Sequence, residues 1–467
     1  MVAWATRCGT CRRKKIKCDQ QWPACGQCRK SKQPCPGPPD RLKFVPENTT
    51  RRPDTTLASL SASNSKYPAN LSWKPQIPRS MRGTHATKVG SELVALLTSQ
   101  VKTFGFSSFA HLLANVPAML ESSEALTGAV ACLSDARKRQ LASPRPERKL
   151  DLKLYGSALR DLRKALQDTG KLNRMETLLA TLVMCRVEAT IATTADLPHL
   201  IVTWSVHLLG VGYLLERLGP EALKDKLVFS VLLEMVCELS SHYYASDESF
   251  FLASPEWQRA LTEIKDPPLV DKLLLAVFAQ MAEFPDVMRD LRRYHTGQMP
   301  FEYVYSRTKA MWEAFQAIEG PMRSIIQDGS LVKRQPACSP SSPVQEVYEA
   351  ESDIVVRVCC LHAVGCIVAH NMFLAVDQDS LSEIEQGKRM LSQRIWMFHE
   401  QAIRVGSFGM HYYPTALLLT YDSAESEDTK DWIVEMLNLL QGRNPATDHM
   451  WTSEEVFRRC QATSGSI

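Results

Sequence analysis

The 467-residue sequence lacks the sequence signatures of the common enzyme classes. Its 21 glycines are dispersed, and it contains no nucleotide-binding glycine loop, no nucleophile elbow and no HExxH motif. We therefore expect a protein that is not an enzyme. With 45% hydrophobic and 23% charged residues, the chain is also neither collagen-like, nor wholly disordered, nor a disulfide-dense mini-protein.

The chain also has little that points to a membrane or to an oxidising compartment. Met1–Arg7 contains no apolar stretch of the kind found in secretory signals. One long apolar run occurs, Val355–Val376, but four polar residues interrupt it: Arg357, His362, His370 and Asn371. This run predicts a buried central helix rather than a membrane span, and we expect no membrane partner.

The formal net charge of +4 conceals a division along the chain. Residues 1–44 hold eleven lysines and arginines against two acidic residues, which gives +9. Residues 45–90 hold seven against two and add +5, so residues 91–467 carry −10. A basic N-terminal segment on an acidic body is typical of a protein whose one end binds a polyanion.

Cysteine is concentrated in the same basic segment. Six of the 14 cysteines lie between positions 8 and 35: Cys8, Cys11, Cys18, Cys25, Cys28 and Cys35. The spacing C-x2-C-x6-C occurs twice, and with no secretory signal ahead of it this pattern favours a metal site over disulfides. Zinc prefers four ligands, so six thiolates satisfy two zinc ions only if two sulfurs bridge both metals. Two separate three-ligand sites would stay incomplete, so one two-metal cluster is the simplest interpretation.

Residues 8–35 resemble the fungal binuclear zinc cluster, the DNA-binding module of fungal transcription regulators. Besides the cysteines, the resemblance rests on the basic run Arg12–Lys17, on Asp19 after the third cysteine, and on Pro23 before the fourth. It implies two zinc ions as cofactors, with all six cysteines as ligands and with Cys8 and Cys25 as the bridging pair. The site would be structural, since no open coordination position or general base is evident.

The resemblance also implies how DNA is bound. Residues 11–18 are compatible with a short helix that is held at both ends by metal ligands. Lys14 and Lys15 match the positions that read a CGG triplet in double-stranded DNA, and Lys15 is the stronger candidate. The remaining cations would mainly contact phosphate: Arg12, Arg13, Lys17, Arg29 and Lys30.

Residues 45–90 predict a disordered linker rich in proline, serine and threonine. No heptad pattern is long enough there for a coiled coil, which argues against a zipper-type homodimer. From residue 91 helical periodicity dominates, as at Tyr155, Leu159, Leu162 and Leu166, and Asn173 is a candidate helix N-cap. The predicted fold is a small metal-stabilised domain (residues 1–44), the linker (residues 45–90), and a large all-α body (residues 91–467).

This body resembles, less specifically, the helical regulatory domain of fungal transcription factors, through Trp204-x-x-His207-x-x-Gly210 and Phe251-Leu252-x-x-Pro255-x-Trp257. We expect His207 to be a hydrogen-bonded core histidine, and we expect the set His362, Cys366 and His370 to be interior packing rather than a metal site. The acidic stretch around Asp431 is interpreted as part of an amphipathic helix rather than an activation segment.

Together these features predict a nuclear, sequence-specific regulator of RNA polymerase II transcription, with a metabolic or biosynthetic gene set as its targets. Its expected partners are CGG-containing DNA and co-regulators or the transcription machinery, with homodimerisation left open. The alternative is a protein that uses its zinc domain for protein or RNA contacts without reading DNA sequence. A helical enzyme with an added zinc module is a third hypothesis, which would require a cofactor or turnover in the body.

Overall fold

The structure is a computed structural model of the full chain. It describes residues 10–11, 14–18, 25–31, 83–99, 108–142, 150–191, 197–245, 248–264, 267–377, 381–405, 410, 412–442 and 450–463. Two compact units are distinguished, Met1–Pro78 and Arg79–Ile467, and each is described by itself. Within the first unit, residues 45–78 of the predicted linker lie outside the described residues, as do Cys8, Arg12, Arg13 and Cys35.

In the first unit, which we call the head, the described residues form two short helical pieces. Thr10 and Cys11 are helical, and the chain turns at Lys14 and Lys15. A second helix, α1 (Gly26–Lys30), begins directly after Cys25. A continuous helix over residues 11–18 is therefore wrong, because residues 16–18 have no regular structure.

The second unit, the body, is built from helices. Its first half contains α2 (His85–Ser99), α3 (Ser108–Leu113), α4 (Glu124–Ala142), α5 (Leu152–Gln167), α6 (Thr169–Leu172), α7 (Met175–Ile191), α8 (Leu197–Leu218) and α9 (Lys226–Ala245). Its second half contains α10 (Pro255–Thr262), α11 (Leu269–Met281), α12 (Phe284–His295), α13 (Phe301–Gln327), α14 (Asp353–Leu374), α15 (Leu381–Trp396), α16 (His399–Val405), α17 (Tyr413–Leu418), α18 (Glu427–Gly442) and α19 (Ser453–Thr463). Short 3-10 helices lie at Val116–Ser122, Pro220–Lys224, Phe251–Ala253 and Tyr421–Ser423.

The first half of the body packs around α4, which contacts α2, α5 and α7. The sequence of α5 explains both its packing and its start. Leu162 is buried, and the Asp151 side chain caps the helix by accepting hydrogen bonds from the backbone N–H groups of Lys153 and Leu154. Helix α2 begins at His85, within the range predicted as linker. The Asn173 cap is wrong, because Asn173 ends α6 and its side-chain oxygen accepts from Arg217 Nε at 2.9 Å.

The second half of the body packs around α14. This helix contacts α11, α13, α15, α17 and a β-strand, so it is enclosed on every side. By length and composition alone it could cross a membrane, but almost all of its side chains are buried inside the body. The prediction of a buried central helix is therefore confirmed. The acidic stretch near Asp431 is likewise helical, in α18.

The all-α prediction is confirmed for the fold class, with one addition. Strands β1 (Val332–Pro336) and β2 (Glu346–Ala350) form an antiparallel hairpin in which Val332 pairs with Ala350. The outer edge of β2 is completed by Gln401, whose side-chain amide makes bonds of 2.8 and 2.9 Å to the backbone N–H and C=O of Ala350. A side chain thus takes the place of a third strand, which no periodicity in the sequence would indicate.

Two histidines of α14 are buried without charge. His362 Nε2 lies 3.2 Å from the carbonyl oxygen of Phe315, and His370 Nε2 lies 3.1 Å from the Gln316 amide nitrogen. Burial lowers the pKa of both imidazoles to about 4. The interpretation of this set as interior packing agrees with their burial. His207 is half-buried, and its Nδ1 lies 2.9 Å from Glu188 Oε2, as expected for a hydrogen-bonded histidine.

We expect Gly365→Ala in α14 to destabilise the body. A Cβ at position 365 would overlap the ring of Phe315, so the two helices would have to move apart. The expected loss is about 1–3 kcal/mol in the free energy of unfolding, measured by urea denaturation. The matched control is Gly156→Ala in α5, where a Cβ would meet only the end of the flexible Arg160 side chain at 3.7 Å and where alanine should stabilise the helix by up to about 1 kcal/mol. Equal effects of the two variants would contradict the close packing at Gly365.

The buried histidines predict a pH dependence of stability. The unfolded chain binds these protons near pH 6.5, whereas the folded chain binds them only near pH 4. Stability should therefore fall as the pH is lowered through this window, by up to about 1.4 kcal/mol per pH unit for each histidine. Urea midpoints measured between pH 7 and 5 should show a shallower slope for His370→Gln than for the wild type. An unchanged slope would refute this origin.

Candidate metal centre and nucleic-acid interface

Three cysteine sulfurs of the head converge. The ligand atoms of Cys11, Cys25 and Cys28 all lie within 4.8 Å of one another, and the three residues are buried. The sulfurs of Cys11 and Cys25 are 3.6 Å apart. The half-buried Cys18 packs against this group. The sequence predicted these four as ligands, and the structure brings them together, while Cys8 and Cys35 lie outside the described residues.

The arrangement fits zinc on geometric grounds. A zinc–thiolate bond of about 2.3 Å places two sulfurs of one tetrahedron about 3.8 Å apart, close to the observed separation. The backbone N–H of Cys28 donates to Cys25 Sγ over 3.4 Å, an interaction that favours the thiolate form a metal requires. Elsewhere in the described part of the chain, no second group of three or more metal-ligating side chains comes this close.

Cys25 occupies the central position in this group. It is the N-cap of α1, so its sulfur is held at the start of the helix that carries Cys28. Cys11 approaches the same sulfur from the first half of the internal repeat. The three sulfurs therefore bring ligands from both halves of the internal repeat into one group.

Lys15 lies at the end of the first helical piece in a restricted backbone conformation. Its φ is 53°, in the left-handed region, which few residues other than glycine adopt. The N–H of Ile16 donates to the carbonyl of Cys11 over 3.1 Å, a six-to-one bond that marks a Schellman helix end. The turn therefore fixes the backbone at Lys15 only four residues from a cysteine of the cluster.

The charged side chains on the described head surface are all cationic. Its charged residues are Lys14, Lys15, Lys17, Arg29 and Lys30, all exposed, and no acidic residue occurs among its described positions. Arg29 and Lys30 occupy the last turn of α1, where the helix dipole favours positive charge. Two halves of the repeat thus each place cations next to the cysteine group. The predicted contacts Arg12 and Arg13 lie outside the described residues.

Buried thiols in the body differ in character from those of the head. Seven of its eight cysteines are buried, and Cys338 is exposed. Burial raises the pKa of the Cys359 thiol to about 12, so it remains protonated at neutral pH. The seven buried cysteines of the body therefore act as packing residues.

Comparison with known families agrees with this division. Residues 6–43 match the fungal Zn(2)-Cys(6) binuclear cluster domain, and residues 99–261 match the fungal specific transcription factor domain. Comparison with curated proteins gives no significant match, and neither does comparison with solved structures.

The head and body thus define a class of protein, a zinc-dependent DNA-binding transcription regulator whose head binds two zinc ions. Within that class, the chain combines the two domains of the fungal zinc cluster transcription factors, so the resemblance seen in the sequence is confirmed. Both matched families are transcription-factor domains rather than enzymes, and they imply a nuclear protein.

We expect Cys25→Ser to release both zinc ions, because a sulfur shared between two metals removes a ligand from each when it is lost. Zinc per chain, measured by elemental analysis after dialysis, should fall from two to near zero. The control Cys338→Ser changes the exposed body thiol and should retain two. Retention of one zinc by Cys25→Ser would mean that this sulfur serves a single metal.

Proposed function

We propose that this protein regulates RNA polymerase II genes by binding CGG triplets in double-stranded DNA through its zinc cluster. The observation that carries the proposal is the exposed Lys14–Lys15 turn held beside Cys11. In this proposal the six cysteines hold the two zinc ions, and Cys8 and Cys25 bridge them. Because the segment has few apolar side chains to bury, metal binding supplies most of its folding free energy, about 10–16 kcal/mol for structural zinc in peptides.

Lys15 is proposed as the base-reading residue. A lysine ammonium can donate to both N7 and O6 of guanine in the major groove, provided that its backbone is held at a fixed position. The Schellman end supplies this fixed position, since the backbone at Lys15 is locked by the Ile16 to Cys11 bond. Lys14 precedes it on the same exposed turn and is proposed to share the contact.

The other head cations are proposed to contact phosphate. Lys17 follows the turn, while Arg29 and Lys30 lie on α1, so the two halves of the repeat would contact the backbone at separate points. Arg12 and Arg13 are proposed for the same role. Phosphate contacts contribute affinity that falls with salt and carries no sequence information.

The acidic body is proposed as the regulatory part. We place its start at His85, where α2 begins, rather than at residue 91. Its charge opposes contact with the duplex, so we assign DNA binding to residues 1–44 and assign co-regulator contacts to the body, with a metabolic or biosynthetic gene set as targets. Without a heptad pattern in the linker, any homodimer would have to form through the body.

We expect Lys15→Ala to reduce discrimination more than affinity. Loss of a bidentate guanine contact should lower the preference for a CGG duplex over a scrambled duplex by about tenfold, measured by fluorescence anisotropy at fixed salt. Lys15→Gly distinguishes the role of the side chain from that of the backbone. It removes the ammonium group but suits the left-handed backbone conformation, so it should lose the preference for the CGG duplex to the same extent.

The matched control is Lys30→Ala. As a phosphate contact, Lys30 should weaken binding to both duplexes alike and reduce the salt slope by about one. Equal losses on both duplexes for Lys15→Ala would refute its base-reading role. If the wild type itself did not distinguish CGG from scrambled DNA, the alternative would be favoured, in which the zinc domain binds protein or RNA.

A further inference from the structure

A cavity lies in the second half of the body, beyond the residues matched by either family. It is enclosed by α13, α14, α15 and the β-hairpin and has a volume of about 570 Å³. That volume is within the range of sites that take small organic ligands, about 300–1,000 Å³. The strands contribute Arg334 and Tyr348 to its wall, which gives the hairpin a role besides packing.

The wall of this cavity carries an excess of positive charge. Three guanidinium groups line it, those of Arg323, Arg334 and Arg394, against the single carboxylate of Glu319. Glu319 is already bound by two of them: Arg394 donates over 2.6 and 3.1 Å, and Arg323 over 2.7 Å. Arg334 lies 4.0 Å from Glu346 and over the ring of Tyr348. The charged side chains of the wall thus sum to +2, and Glu346 beside Arg334 lowers the local excess to +1.

Two side chains of the cavity wall each have a buried ring nitrogen without a hydrogen-bond partner. His370 is 3% exposed, and its Nε2 lies next to the amide nitrogen of Gln316, which can only donate. The other ring nitrogen of His370, Nδ1, has no hydrogen-bond partner. The indole N–H of Trp312 is also buried without a partner. Such groups cost free energy unless a partner is supplied.

Part of the wall is apolar and flat. The ring of Trp312 stacks on Phe373 with an interplanar angle of 8°, so its plane is fixed. Ile384, Leu391 and Met397 add aliphatic surface from the α15 side. A planar hydrocarbon or aromatic ring would bury its faces here, while an anionic group would meet the guanidinium groups.

We propose that this cavity binds a small aromatic carboxylate. The ring would pack against Trp312 and the aliphatic wall, and the carboxylate would pair with Arg334, whose nearest carboxylate is the exposed Glu346 at 4.0 Å. The site is independent of the zinc cluster and makes the body a receptor for an organic anion.

The test uses two probes with the same ring and different charge. The full-length protein is titrated with 2-naphthoate and with the neutral analogue 2-naphthalenemethanol, and binding is measured by isothermal titration calorimetry. We expect 2-naphthoate to bind at least about tenfold more tightly, because only the anion pairs with the net positive wall. Absence of 2-naphthoate binding at millimolar concentration, or equal binding of the two probes, would overturn the proposal.

Two variants locate the binding. Arg334→Met keeps an unbranched side chain and should weaken the binding of 2-naphthoate about fivefold, without changing the binding of 2-naphthalenemethanol. The control is Lys333→Met, at an exposed neighbouring residue outside the cavity wall, which should change the binding of neither probe. Gly387→Leu places a side chain beside His370 and should abolish binding of both probes. Urea unfolding of each variant confirms that it is folded. Undiminished binding to Arg334→Met or to Gly387→Leu would show that the probe binds elsewhere and would overturn the assignment.

Discussion

The body depends on the burial of one helix, α14, which is predominantly apolar and is buried on every face. Such a helix cannot lie on the surface of a protein in water, so α11, α13, α15 and α17 must surround it. Its side chains supply the apolar area whose removal from water stabilises the second half of the body. The close approach at Gly365 follows from the same constraint, because the Phe315 ring needs the space that a side chain would take.

The cost of enclosing α14 is that its polar residues lose water. Arg357, 2% exposed, donates to the Leu233 carbonyl over 2.8 Å and to Asp353 and Glu234 over 3.0 and 3.2 Å. Burial opposes its charge, but the two carboxylates outweigh burial and raise its pKa. Glu234 also accepts from Arg186 of α7 over 2.9 Å. Helices α7, α9 and α14 are thus joined by buried ion pairs, and removing one partner of such a pair typically costs about 3–5 kcal/mol.

Periodicity allowed the helical class, the buried central helix and the metal-binding cysteines to be predicted, because each depends on residue types at fixed spacing. The missed features depend on contacts that spacing does not encode. The β-hairpin is completed by Gln401, 51 residues from its partner Ala350. The helix end at Lys15 requires a backbone conformation that lysine rarely adopts. The cavity combines side chains of three helices and two strands, so no local pattern could reveal it.

The head and the body are stabilised in different ways, and the environments of their cysteines show the difference. In the head, thiols such as Cys25 lie close together beside backbone N–H donors, where a metal can hold them as thiolates. In the body, burial raises the pKa of Cys359 to about 12, and the same group acts as a small apolar side chain. A head folded by metal can carry a predominantly cationic surface, because it needs no apolar face of its own. A body stabilised by apolar burial can carry its acidic residues outside the core. The resulting negative charge of the body repels a polyanion, which favours binding of the polyanion by the head.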